Sequence, residues 1–255
     1  GVQLLLMTPL IGLYAYAGMI SATKNLWQQK SDGALLIFST SLPFLLYLML
    51  HAMHDRVNAN WPAPLMPSFA LLAAWSVEWR GFHWHQRFAV PLGYALGALI
   101  LIEILNPFMP IDPSRNPAML TRGWHELGDD LIEKKDEYGA AWIATATYEH
   151  TGALSYALQN RAEILQINER VRYGFLPNPD MTLISQPALF IDWQGDAENF
   201  IARHKECYET AEPVGTLTRR YGNETIESFS MYRLTGVHIG SPIYDRHRDI
   251  SLCGD

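Results

Sequence analysis

The chain has 255 residues and a formal net charge of −7, a length that fits one or two domains. Its acidic balance supplies no basic stripe, so no nucleic-acid partner is expected. The two cysteines, Cys207 and Cys253, form no CxxC pair and no zinc-finger spacing. A single disulfide is conceivable outside the cytoplasm, but two thiols so placed are expected to be unpaired.

Charge is unevenly placed. Residues 1–111 carry nine charged side chains: Lys24, Lys30, Asp32, Asp55, Arg56, Glu78, Arg80, Arg87 and Glu103. The other thirty-six fall in residues 112–255. This split predicts membrane-spanning helices over 1–111, followed by a small soluble α/β domain with a mixed sheet over 112–255. The chain opens on Gly1 with neither a basic n-region nor a cleavage site, which reads as a start inside a longer protein.

A bilayer-crossing helix needs about 20 mostly apolar residues. Four stretches come near that: 2–23, 34–53, 62–77 and 88–105. The third is short and rich in proline. Prolines 9, 43 and 91 lie inside these stretches, where a freed backbone carbonyl must find a partner within the protein. The 24–33 connector has Lys24 and Lys30, and the 78–87 connector has Arg80 and Arg87. The connector at 54–61 has only Arg56, offset by Asp55. The positive-inside bias then places 24–33 and 78–87 in the cytoplasm, and 54–61 with the soluble domain outside. Trp75, Trp79, Phe82 and Trp84 suit an inner aromatic belt. The His-Trp-His run at 83–85 reads as interfacial rather than metal-binding. Glu103 is expected to reach the outer headgroups.

The soluble half opens with an amphipathic helix that puts Trp124, Leu127, Leu131 and Ile132 on one side. A buried strand over 140–147, a helix over 151–159 and a strand over 162–168 follow, which implies a βαβ crossover and a parallel pair. A third strand is expected at 186–193, then a helix capped by Asp196 and running through about His204. Strands over 206–220 and 227–237 would pair through the turn at Tyr221–Glu224, with a break near Pro213. The tail, 240–255, has no period. The Asn223-Glu224-Thr225 pattern matches a glycosylation acceptor but reads as turn chemistry. Asp129, Asp130 and Asp192 read as solvated surface carboxylates.

The connector His51–Pro67 holds two histidines, Asp55, Arg56, Asn58, Asn60, Trp61 and three prolines. Arg56 can grip a phosphate with two parallel bonds. His54 and Asn60 can add donors, and Trp61 can anchor at the interface. On side-chain chemistry alone, a lipid-anchoring connector is the first reading and a phosphate contact the second.

The run "RVNANWPAPLMP" resembles the motif of bacterial family 39 glycosyltransferases. These are relatives of the dolichyl-phosphate-mannose–protein mannosyltransferases and the aminoarabinose transferases. Val57, Asn60, Trp61 and Pro62 match its V-x-x-N-W-P segment. "MPIDPSRNPAMLTRGWHEL" is similar to its exit segment through Asp112-Pro113 and Gly123-Trp124, and "ATYEHTGALSYAL" matches more weakly. The resemblance implies a GT-C type enzyme of the bacterial inner membrane, with its C-terminal domain outside the cytoplasm. Such an enzyme moves a sugar from a polyprenyl-phosphate donor to a protein, lipid or glycan acceptor, with no nucleotide cofactor. A divalent metal assists some relatives, but no residue here calls for one. The resemblance places the catalytic acids upstream of Gly1, assigns Arg56, His54 and Asn60 to the donor phosphate, and gives Trp61 and Trp124 interface and packing roles. The competing readings are a membrane-anchored receptor with a ligand-binding α/β domain and a transporter fragment.

Overall fold

The computed structural model describes residues 8–29, 31–55, 57–58, 60–80, 83–167 and 179–237. The chain divides into two compact units, residues 1–103 and 104–255.

The first unit is helical. Helix α1 spans Pro9–Gln29, α2 Asp32–His51, α3 Met66–Arg80, and α4 begins at His83 and runs on to Leu105. Ser31 caps α2 through its hydroxyl, using the backbone donors that a helix start leaves open. Pro43 sits inside α2. Here Thr40 Oγ1 bonds Leu36 O at 2.8 Å, and Ser41 Oγ bonds Ile37 O. Small side chains fill the contacts of this unit: Ala15, Ala22, Ala34, Ala73 and Ala89 are buried. A Cβ built on Gly18 would lie 1.8 Å from Leu72 O. Only glycine lets α1 and α3 approach that closely.

Among the described residues, two of the four expected spans meet the length and hydropathy of a membrane-crossing helix, Asp32–His51 and Arg87–Leu105; residues 2–7 of the expected first span lie outside the described residues. Helix α3 falls short because its 15 residues reach only about 22 Å, against a hydrocarbon core of about 30 Å. Helix α1 is long enough, but it ends in a polar stretch that includes Thr23, Lys24, Asn25 and Gln28. The expected 24–33 connector is therefore largely helix, and so is much of 78–87. Trp75 is half-buried. The side chains of Trp79, Phe82 and the 83–85 run lie outside the described residues. Glu103 is buried at 7% exposure rather than extended to the surface, and a carboxylate holds such a place only with bonding partners.

The second unit is a three-layer α/β/α sandwich. Strands β1 (Trp142–Thr145), β2 (Ile164–Gln166), β3 (Ala188–Trp193), β4 (Thr210–Tyr221) and β5 (Glu224–Thr235) form a sheet in the order β2-β1-β3-β5-β4. The β1 strand pairs in parallel with β2 and β3, whereas β5 runs antiparallel to β3 and β4. Helices α5 (Trp124–Glu137) and α6 (Tyr148–Leu158) cover one face through Leu127, Leu131, Leu154 and Leu158 against Ile143, Leu189 and Phe229. Beyond the short α7 (Met181–Ile184), helix α8 (Asp196–Arg203) covers the other face, with Ala197 and Phe200 on Trp142, Ala144 and Phe190. The period of two along β1 and β3 produces both faces. The N-cap of α8 is Gly195 rather than the expected Asp196, and Glu198 accepts from the Gly195 N–H. The β4–β5 strands join through a two-residue turn at Gly222–Asn223, and the β4 register shifts at Pro213/Gly215 and at Arg219/Arg220. Cys207 is buried and disulfide-bonded, not unpaired. Cys253 and the tail lie outside the described residues.

Arginines fasten the segment that leads into the sandwich. Arg122 donates to Ile104 O at 2.7 Å and Leu105 O at 2.8 Å, the orphan carbonyls of a helix end. Arg219, 1% exposed, donates to Met119 O and Arg122 O and pairs with Glu227 at 3.1 Å. Its guanidinium lies 4.4 Å from the Trp124 ring centroid. Gly123 precedes that Trp with φ of 71°, and a Cβ there would meet Arg220 O at 2.2 Å. The Gly-Trp pair is thus a backbone-approach device followed by a packing anchor.

Candidate functional site

Two regions gather polar side chains. The first is the connector after α2. Ala52–Asp55 turn away from the helix end, and a second turn enters a short 3-10 helix at Ala63–Leu65. Aromatic rings brace it: Tyr47 stacks on His51 at 5.8 Å, and His51 lies 5.1 Å from Trp61. Trp61 is therefore held by the helix end, in keeping with an anchoring role. Asn58 O and Asn60 O accept from Trp61 N and Ala63 N, and both Asn residues are exposed. His54 is also exposed, with Nδ1 3.2 Å from Leu50 O. That bond leaves Nε2 as its outward group. Arg56, the expected phosphate contact, lies outside the described residues. Trp124 belongs to the other unit, where its Nε1 donates to Leu120 O at 2.8 Å.

The second region was not singled out from the sequence. It lies at the C-terminal ends of the parallel strands. The chain leaves β1 for α6 on one face and leaves β3 for α8 on the other, although β1 and β3 are neighbours. Such a switch point is where open α/β sheets place ligands. Thr145 ends β1, Gln166 ends β2, and Asp192 lies one residue before the end of β3. All three are buried, as are His150 and Thr151 on the first turns of α6. Asp192 is thus not the solvated carboxylate expected, whereas Asp129 and Asp130 are exposed.

The contacts here are partly complete. Thr145 and Thr151 share a hydroxyl bond of 2.7 Å, and Thr151 Oγ1 reaches Thr147 O at 2.7 Å. Gln166 Nε2 donates to Ala146 O at 3.3 Å. His150 Nδ1 lies 2.8 Å from Asp192 Oδ1, an ion-pair distance without hydrogen-bond alignment. Asp192 Oδ1 also accepts from Trp193 N at 2.8 Å. Trp193 meets the His150 ring edge-on at 4.3 Å, and Phe229 does so at 5.2 Å. Thr147 Oγ1, His150 Nε2 and Gln166 Oε1 have no partner among the described residues. Buried polar atoms are seldom left so.

One signal in the sequence pointed to this region. The apolar runs over 140–147, 162–168 and 186–193 each carry a polar side chain near their end: Thr145, Gln166 and Asp192. No group of three or more His, Cys, Asp or Glu among the described residues is arranged to hold a metal. No family model, no curated protein and no solved structure matches this chain.

Proposed function

We propose that this chain is part of a GT-C type membrane glycosyltransferase that takes its sugar from a polyprenyl-phosphate donor outside the cytoplasm. Helices α2 and α4 would cross the bilayer, with the α2–α3 connector at the outer surface. One observation carries the reading. An outward-apolar helix, α2, ends in a ring-braced connector that keeps His54, Asp55, Asn58 and Asn60 exposed beside Trp61. Polar groups held at the end of such a helix suit a lipid-linked phosphate better than a free solute. In this reading Arg56 neutralises the phosphate, His54 and Asn60 donate to it, and the α/β unit faces the acceptor.

The test uses the complete protein and a synthetic polyprenyl-phosphate sugar. Arg56→Ala should weaken transfer by about 1–3 kcal/mol, roughly 5- to 150-fold, with smaller losses for Asn60→Ala. Unchanged transfer and donor binding in both would remove the connector from the site. A second reading, a membrane-anchored receptor, draws its support from the unpartnered polar atoms at the strand ends of the α/β unit. In that case donor transfer would be absent altogether.

A further inference from the structure

Two features of the α/β unit meet at its entry segment. The first is where its apolar surface lies. Among the described residues this unit leaves nine large apolar side chains exposed. Six of them, Ile104, Leu105, Phe108, Ile111, Leu120 and Tyr221, belong to the entry segment or to the β4–β5 turn beside it. The other three, Tyr148, Tyr156 and Met181, lie on α6 and α7.

The second feature is how that segment is closed. Arg122 donates to Ile104 O and Leu105 O, the last carbonyls of α4. The same guanidinium lies 4.5 Å from the Tyr221 ring centroid. One side chain thus holds the β4–β5 turn to the end of α4, from a place far along the chain. The Gly123 backbone, pressed on Arg220 O, brings the same two strands of chain together. Leu120, 67% exposed, stands two residues before the clamp, where its carbonyl accepts from Trp124 Nε1. Asp112 and Asn116 cap two short 3-10 helices between them, so the segment is shaped by its own hydrogen bonds.

Helix α4 says what covers this face. Its stretch Arg87–Leu105 has the length and hydropathy to cross a bilayer, and Ile100, Leu101 and Ile102 stand exposed along it. In a bilayer, such a span ends at the headgroups, and its final carbonyls are the ones that Arg122 holds. Tyrosine and arginine suit that depth, with an apolar body and a polar tip. In water the same patch would be a liability. At the interface, apolar side chains sink about 5–10 Å below the headgroups.

We propose that Leu120 and Tyr221, set beside the end of α4 by Arg122, form a footing through which the α/β unit enters the surface of the bilayer. The inference rests on reading α4 as a membrane span. It adds a lipid contact made by the α/β unit itself.

The experiment takes the intact chain in nanodiscs of phosphatidylcholine and phosphatidylglycerol. Trifluoromethylphenylalanine replaces Leu101, Leu120, Asp136 or Tyr221, one at a time. Fluorine relaxation is then measured with a nitroxide-headgroup lipid and with a water-soluble gadolinium chelate. Leu101 reports on α4. Asp136 is the aqueous reference, exposed near the far end of α5 and about 18 Å along that helix from Trp124. The nitroxide should relax the reporters at Leu120 and Tyr221 severalfold more than the one at Asp136, and the chelate should relax them less. Melting curves establish that each labelled chain is folded, and the two positions are read independently, so either tests the footing if the other variant does not fold. Reporters at Leu120 and Tyr221 that behave like the one at Asp136 would overturn the footing while the span at Leu101 stands. Shielding from both agents would overturn it too, because protein, from a second copy or from the chain itself, would then cover the patch. A reporter at Leu101 untouched by the nitroxide would bring down span and footing together.

Discussion

In the helical unit many buried side chains are small, among them Ala15, Ala22, Ala34, Ala73 and Ser76 beside the larger Tyr14, Leu65 and Leu72, while Leu36 and Leu50 stand more than 60% exposed. In the α/β unit the order is reversed. Trp142, Phe190 and Phe229 are fully buried there, and the helices turn charges such as Asp129, Asp130 and Glu133 outward. A large apolar surface left open in water is a liability. The same surface in hydrocarbon costs nothing, because association there rests on close packing of small residues and on internal hydrogen bonds. The contrast supports the proposal that the helical unit lies in a bilayer and the α/β unit in water.

The sharpest way to break the helical side of this comparison is at Gly18. Gly18→Leu drives a side chain into Leu72 O, and overpacking of this kind costs about 3 kcal/mol or more. Thermal unfolding in detergent should show the helical unit losing its transition while that of the α/β unit persists. An unchanged profile would mean that α1 and α3 do not meet there. A somewhat smaller effect tests the α/β side. Arg219→Met leaves Met119 O, Arg122 O and Glu227 without their shared donor, at a cost of about 2–4 kcal/mol. Urea melts of the variant should move accordingly, and a midpoint equal to wild type would count against the buried network.

The smallest effect is a pH dependence. The Ser230 hydroxyl, at 2.6 Å, holds the Glu198 carboxyl below its ordinary value of 4.5, against a weaker opposing push from burial and with help from the Gly195 N–H. A depressed carboxyl contributes stability that is fully present above the ordinary value. That contribution is lost as pH falls below 4.5 and through the folded-state value. Glu198 is exposed, so solvent keeps the contribution small. Glu198→Gln should flatten the acid limb of a stability–pH curve recorded from pH 6 down to pH 3. An acid limb of identical slope would remove the Ser230 bond from the account.

Much of the α/β unit was legible because its strands obey a period of two and its helices start and stop on local signals. The expected third strand at 186–193 became Ala188–Trp193, and the turn at Tyr221–Glu224 is where β4 meets β5. The helical unit was less legible. Hydropathy marks apolar stretches but not where a helix continues through polar residues, as α1 does past Lys24. It also cannot register that Gly18 brings two helices together. The strand-end cluster was hidden for another reason. Thr145, Gln166 and Asp192 are neighbours only because parallel pairing aligns the ends of three separate strands. Asp192 accordingly read as a surface acid. His150, on an otherwise ordinary helix, carried no signal of the aromatic wall around it.

The edges of the five-stranded sheet have a consequence for how this domain behaves in a crowded compartment. One edge, β2, is only three residues long. The other, β4, is twelve residues long, but Pro213 lacks a backbone donor, two register shifts bend the strand, and Arg219 turns a charge inward. These are the features that deny a neighbouring chain a straight row of backbone partners. The domain can thus sit at high local density beside identical copies without its sheets extending from one molecule to the next.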